Sequence, residues 1–334
     1  MAAFSTDFFM EKVSAKRATF DRKVTIVGAD KVGTACANAL LNRKVASEIC
    51  IVDTHHSSVL AEILDIQHGA TFVNNAKVTG GKDYSLSSGS QVIIIATDAT
   101  HKTRESRPDI IQRNIHVMKD VIPKIMAHNK NPILLILGRP CEVMTFLAWK
   151  VSGLPKNRVF GIGTSIDTAR FRYFLSERLG VAPTECTGWI IGEEGDLSIP
   201  VWSSLNVGGI RLRDVYPNIG KQDKDKDNWA SLHKQVVDVS YEILESKGYA
   251  NWGVSMACAT IVHDIFNNTG CIRAVCTAAM NQYGIDKNIF LSFPSVITSD
   301  GVTNVVKLPL DQDEVAKIQE VARNVYKKMC QLKV

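Results

Sequence analysis

Short runs dominated by apolar residues recur through the first half of the chain, at 24–27, 49–52, 92–96, 133–137 and 158–161. Between the runs, at 32–41, 59–68, 110–128 and 143–151, apolar positions recur at helical spacing. A strand that is apolar at every position is buried on both faces, as in a parallel sheet, and the intervening helices supply the cover. From residue 161 onward the texture changes. Helices are expected at 167–179, 229–246, 252–266, 272–281 and 313–331, with short strands at 189–192, 199–205, 208–212, 289–297 and 303–308. The pattern predicts an α/β chain: a doubly wound parallel sheet of Rossmann type over 21–160, then an α+β domain over 161–334. Residues 1–20 precede the first strand as an amphipathic arm carrying Phe4, Phe8, Phe9 and Val13.

The first strand runs into a turn that sets the chemistry to look for. Residues 23–33 read as strand, tight turn and helix start, with Gly28 and Gly33 at the outer positions of a G-x-G-x-x-G dinucleotide motif. The middle position holds Asp30. In such a loop the middle glycine lets the backbone approach a pyrophosphate, so a carboxylate there adds both bulk and like charge. Asp53 lies just past the second strand, where an acid hydrogen-bonds a ribose and favours NAD over NADP. The cofactor-binding residues expected from this unit are Gly28, Gly33 and Asp53. Residues 98–114 are polar and without periodicity, which fits either a lid over a pocket or a solvated charged loop.

Composition narrows the function classes. Hydrophobic content of 45% and charged content of 22% over 334 residues are those of a soluble globular protein with room for a large core. The formal charge of +5 is spread along the chain, so no nucleic-acid footprint is expected. No run is long enough to cross a membrane, and no secretory signal opens the chain. The eight cysteines show no CxxC spacing and fit reduced core thiols of a cytoplasmic protein. No metal site is expected.

Several stretches are more specific. They include Asp65-Ile66-Gln67-His68-Gly69, Glu105-Ser106-Arg107, Gln112-Arg113-Asn114, Ala148-Trp149-Lys150, Asp167-Thr168-Ala169-Arg170-Phe171-Arg172, Pro200-Val201-Trp202-Ser203 and Lys247-Gly248-Tyr249. On these the chain resembles the L-lactate dehydrogenase family of the vertebrate type over nearly its whole length. The resemblance implies NAD as cofactor, hydride exchange between NADH and pyruvate, a small 2-oxo or 2-hydroxy acid as substrate, and a homotetramer clasped by N-terminal arms. It places Arg170 as the clamp on the substrate carboxylate, Arg107 as the lid residue that polarises the carbonyl, and Asp167 as the partner that orients a catalytic histidine.

That histidine is missing. The family's Gly-Glu-His-Gly-Asp turn here reads Gly192-Glu193-Glu194-Gly195-Asp196. An asparagine of the cofactor and substrate pocket is Arg139, a lid glutamine or arginine is His101, a threonine after Gly-Tyr is Ala250, and a further cofactor-loop glycine is Asp98. Imidazole donates a proton near neutral pH without tuning, whereas a carboxyl needs a raised pKa. The expectation is a pseudoenzyme, inactive or severely impaired, with weak or lost NAD binding and a structural or assembly role, including mixed tetramers with an active homologue. The alternative is an active oxidoreductase with an altered 2-oxo acid substrate. Arg139 and Glu194 are expected to form an ion pair near Asp167 that keeps Glu194 ionised, and Lys31 to offset part of the charge of Asp30.

Overall fold

The computed structural model describes residues 22–54, 57–73, 76–97, 107–221 and 224–331, without the side chains of residues 107–110. The expected N-terminal arm, Asp98 and His101 lie outside the described residues. The first domain alternates β1 (Lys23–Val27), α1 (Lys31–Asn42), β2 (Glu48–Val52), α2 (Val59–Ala70), β3 (Lys77–Gly81), β4 (Val92–Ile95), α3 (Arg107–Met126), β5 (Ile133–Ile136), α4 (Cys141–Ser152) and β6 (Val159–Gly161). These strands pair in parallel in the order β3-β2-β1-β4-β5-β6. That order is the doubly wound arrangement, in which ligands bind at the carboxyl ends of the strands. The central strands are apolar because both faces are covered: Val24, Ile26, Ile49, Ile51, Ile93 and Ile94 are fully buried.

The second half begins with α5 (Ser165–Leu179), β7 (Cys186–Thr187), β8 (Ile190–Gly192), β9 (Ser198–Pro200), β10 (Asn206–Val207), β11 (Ile210–Arg211) and the short α6 (Leu212–Val215). It continues with α7 (Ser231–Lys247), α8 (Trp252–Phe266), β12 (Ile272–Ala278), β13 (Phe290–Thr298), β14 (Gly301–Val305) and α9 (Gln312–Gln331). The sheet does not stop at the domain change. Antiparallel β12 pairs with β6 through Cys276 and Gly161, and the order runs on through β13, β8 and β9. The site turn between β8 and β9 is therefore carried on the same sheet as the dinucleotide loop.

Two expectations are corrected, and one strand was not foreseen. Residues 272–281 were expected to be a helix; 272–278 form β12, paired over seven residues with β13. Strand β3 was not expected from its sequence Lys77-Val78-Thr79-Gly80-Gly81. A Cβ on Gly80 would sit 2.0 Å from the Ile51 carbonyl oxygen, so only glycine lets this edge strand lie against β2. The expected strand at 199–205 ends at Pro200 and gives way to a tight helical turn at Trp202–Ser204.

Candidate active site

Two loops at the carboxyl end of the sheet carry the residues singled out by the sequence. The first joins β1 to α1. Gly28 has a φ of +110°, and a Cβ there would lie 2.8 Å from the Thr97 nitrogen. A Cβ on Gly33 would lie 1.9 Å from the Gly28 carbonyl oxygen. Both outer glycines are thus demanded by the turn itself and by the close approach of helix to strand. The middle position is different. Asp30 is the N-cap of α1, and its Oδ1 accepts from Val32 N at 3.1 Å and Gly33 N at 3.0 Å. These are the amides that a helix N-terminus offers to an anion. The protein's own carboxylate has taken them.

The expected pairing of Lys31 with Asp30 is not among the ion pairs of the described residues. The Lys31 ammonium sits 4.2 Å from the centre of the Tyr249 ring, a cation–π contact across to the segment between α7 and α8. Asp53 stands just past the end of β2, where a ribose would be recognised, and its Oδ2 accepts from Ala29 N at 2.9 Å.

The second loop is the turn from Gly192 to Asp196. Gly192 and Gly195 have φ values of +94° and +90°, which close the turn between β8 and β9. Each residue between Glu193 and Asp196 is tied to a different element. Lys328 of α9 donates to both oxygens of Glu193, at 2.6 and 2.9 Å. Glu142 of α4 accepts from the Glu194 backbone N at 3.1 Å. Asp167 of α5 accepts from Gly195 N at 3.3 Å, and Tyr241 of α7 donates to Asp196 at 2.6 Å.

On this frame the Arg139–Glu194 pair forms as expected. Arg139 Nη2 lies 2.8 Å from Glu194 Oε1, with Arg139 about a third exposed and Glu194 about a fifth. Asn114 of α3 holds the Arg139 carbonyl at 2.9 Å. Arg170 turns back along α5 to Asp167, Nη1 to Oδ1 at 2.9 Å. Asp167 and Arg170 both act electrostatically on Glu194, so Arg139, Glu194, Arg170 and Asp167 form a chain of alternating charge. Arg107 opens α3, but its side chain lies outside the described residues.

Opposing influences act on the Glu194 carboxyl. Burial pushes its carboxyl above the ordinary value; Arg139 pulls it down, Asp167 pushes it up, Arg170 pulls it down and Glu193 pushes it up. In direction, burial outweighs the pull of Arg139 on this carboxyl. Sequence reasoning missed Glu142. It is fully buried, and burial, with Cys141, Glu193 and Glu194 beside it, pushes its carboxyl well up. Its Oε2 has no hydrogen-bond partner among the described residues. The signal was present: Glu142 is the one charge in the apolar run 141–148.

His233 of α7 lies within electrostatic reach of Asp167, but its Nε2 shares a hydrogen bond with Ser198 Oγ at 2.9 Å. Burial lowers its pKa, which favours the neutral ring. No cluster of three or more His, Cys, Asp or Glu that could hold a metal ion occurs among the described residues.

Comparison with known proteins places this architecture. Residues 22–161 match the NAD binding domain of lactate/malate dehydrogenase, and residues 164–333 match the alpha/beta C-terminal domain. The chain belongs to the lactate/malate dehydrogenase family. It is 42% identical over 300 residues to an L-lactate dehydrogenase B-B chain of Danio rerio, covering 90% of each chain. It is 41% identical over 306 residues to an L-lactate dehydrogenase B chain of Sceloporus undulatus, covering 92% of this chain and 91% of the relative. An L-lactate dehydrogenase B chain of Anas platyrhynchos is 39% identical over 317 residues, covering 95% of each. Arg139, Glu194, Asp167 and Arg170 gather at the β8–β9 turn, and Asp30 and Asp53 at the loop that opens α1. The described part of the chain has no helix long and apolar enough to cross a membrane.

Proposed function

We propose that this chain is a catalytically silenced member of the lactate/malate dehydrogenase family, acting in the cytoplasm as a folded, assembling protein. The observation that carries this reading is the Arg139–Glu194 ion pair at 2.8 Å. It puts a guanidinium and a carboxylate where reduction of a 2-oxo acid needs a proton donor and an open space for the substrate. Loss of a general acid alone costs on the order of 10²–10⁴ in rate. Asp30 adds a second obstacle by occupying the amides that would hold a pyrophosphate, so NAD binding is weak or lost. The retained parts, Asp53, Asp167 and Arg170, are those that also hold the loops together.

Assembly is supported by exposed apolar side chains on adjoining helices. Leu60 and Leu64 of α2 are 59% and 53% exposed, and Trp252 and Met256 of α8 are 62% and 56% exposed. Between these helices lies a groove of about 420 Å³ lined by Ile66 and Tyr249 among others. Such surfaces are covered in stable proteins, and the resemblance supplies the cover: a homotetramer, or a mixed tetramer with an active homologue. A monodisperse species of 36.8 kDa in light scattering would refute assembly.

A second reading has one observation in its favour. The raised pKa of Glu194 is the direction a carboxyl needs to act as general acid, which fits a weakly active reductase of an altered 2-oxo acid. NADH titration by calorimetry, followed by a pyruvate assay at high protein concentration, separates the two. The silenced reading expects no ordinary micromolar binding and no turnover; either one overturns it.

A further inference from the structure

Glu142 lies in the first turn of α4 and is fully buried. Its Oε1 accepts from Glu194 N at 3.1 Å, which ties α4 to the turn between β8 and β9. Its Oε2 meets no donor among the described residues. The two cations bound at the turn are engaged elsewhere, Arg139 with Glu194 and Lys328 with Glu193. An ionised Glu142 would therefore be a buried charge short of a donor and beside two like charges, so the closed turn favours the protonated acid. Burial, then Cys141, Glu193 and Glu194, push its carboxyl in that direction.

The other neighbours of α4 give the charge no relief. Helices α3 and α9 and strands β5, β6, β12 and β13 pack against it. Strands β5, β6 and β13 carry no ionisable side chain. On β12, Cys276 is within electrostatic reach of Glu142, and Arg273 is paired with Asp264. On α9, the ionisable side chains that are not exposed are Lys328, held by Glu193, and Glu314, which accepts from Ser203 N and Asp311 N. On α3, half-buried Arg113 is the one described ionisable side chain that is not exposed, and it makes no ion pair with Glu142. Water has one short way in. Cys141, Val143, Met144 and Leu147 of α4 are buried, whereas Arg139 and Glu194 on the turn side are partly exposed. Gly192 and Gly195 bound the turn, and glycine changes backbone conformation at small steric cost.

We propose that Glu142 is a proton-operated latch on the β8–β9 turn. Protonated, it holds the turn against α4. Deprotonated, it lets the turn swing out and is hydrated. One proton passes from the carboxyl to water as the bond from Glu194 N breaks, and no other bond changes. The latch concerns motion of the turn and stands whether or not the protein is silenced. In the open turn the acid titrates near its ordinary value of about 4.3, and in the closed turn well above it. Between those two values the open population grows up to about tenfold per pH unit.

Hydrogen–deuterium exchange of the full-length protein reads that population. Peptides spanning residues 190–198 report the turn, and peptides from β4 report global opening. Rates are divided by the intrinsic rate at each pH and compared from about pH 5 to about pH 8, above the open-state value. In the native chain the turn should exchange faster than β4, and its corrected rate should rise by at least about tenfold across the range. Glu142→Gln keeps an acceptor for Glu194 N but has no proton to lose, so its corrected rate should stay constant within about twofold. Glu142→Met, uncharged and of similar length, serves if the glutamine variant does not fold. A flat native profile overturns the inference, and so does exchange of the turn at the rate of β4. A rise that persists in the uncharged variant also overturns it, by assigning the proton to another group such as Glu194.

Discussion

Two carboxylates, Asp30 on the loop that opens α1 and Glu194 on the turn between β8 and β9, are accommodated by the protein in different ways. Asp30 is satisfied by the backbone of the helix it begins, through Val32 N and Gly33 N. It needs nothing from the rest of the molecule and makes a good N-cap. Glu194 is satisfied by side chains from distant segments. Arg139 follows β5, Asp167 and Arg170 come from α5, and buried Glu142 holds the backbone beneath it. A locally satisfied change can be reversed alone; one woven into a charge network cannot. The contrast predicts which reversions restore function singly and which require company.

The largest expected effect is on catalysis. Glu194→His alone leaves Arg139 facing an imidazole with its carboxylate partner gone, and lactate oxidation should stay at background. Reverting Glu194→His, Arg139→Asn, Asp30→Gly and Asp98→Gly together should raise lactate oxidation by on the order of 10²–10⁴, the contribution of a general acid. Asp167 and Arg170, to which the resemblance assigns the orienting and clamping roles, are retained and paired with each other. A single Glu194→His variant as active as the four-residue variant would show that the network does not matter. Next comes Asp30→Gly, which needs no partner. It should tighten NADH binding by about thirty- to a thousandfold, from removal of a carboxylate beside a pyrophosphate. Its cost in stability should be only a few tenths of a kcal/mol, because glycine is tolerated at an N-cap. Calorimetry and a melting curve on the same sample check both halves.

A smaller effect belongs to Glu142. Its folded-state carboxyl is well above the unfolded value, chiefly from burial, so the native state holds the proton more tightly than the unfolded chain. Stability on its account is therefore lost as pH rises through and above the unfolded value of about 4.3. Glu142→Gln should match the native melting temperature near about pH 4 and exceed it increasingly toward about pH 8. A constant difference across that range would assign the effect to packing instead. The smallest is Lys328→Met. It removes a partly exposed partner of Glu193 and should lower stability by about 1 kcal/mol, with a weaker effect in high salt.

The same contrast explains what could be read from the sequence. Strands β1, β2, β4 and β5 were legible because burial on both faces leaves an apolar run with no competing interpretation. Strand β12 was not, since Ala274 and Ala278 have low strand propensity and the segment acquires its conformation by pairing with β13 and β6. At the site, the identities of Arg139 and Glu194 were enough to foresee their pairing, because opposite buried charges seek each other. The balance between burial and pairing that sets the Glu194 carboxyl was not legible, since it depends on how deeply the turn is enclosed. Nor was the capping by Asp30 foreseen as the fate of its charge, although aspartate at a helix start is a common cap.

The silenced cleft is tested most directly by a single-turnover experiment with pyruvate and with the native chain in large excess over NADH, followed by NADH absorbance. Large excess removes weak binding as an explanation for silence. The account predicts that the absorbance stays flat in the native chain and falls in the chain reverted at Glu194, Arg139, Asp30 and Asp98. A fall in the native chain at the rate of the reverted one would contradict it.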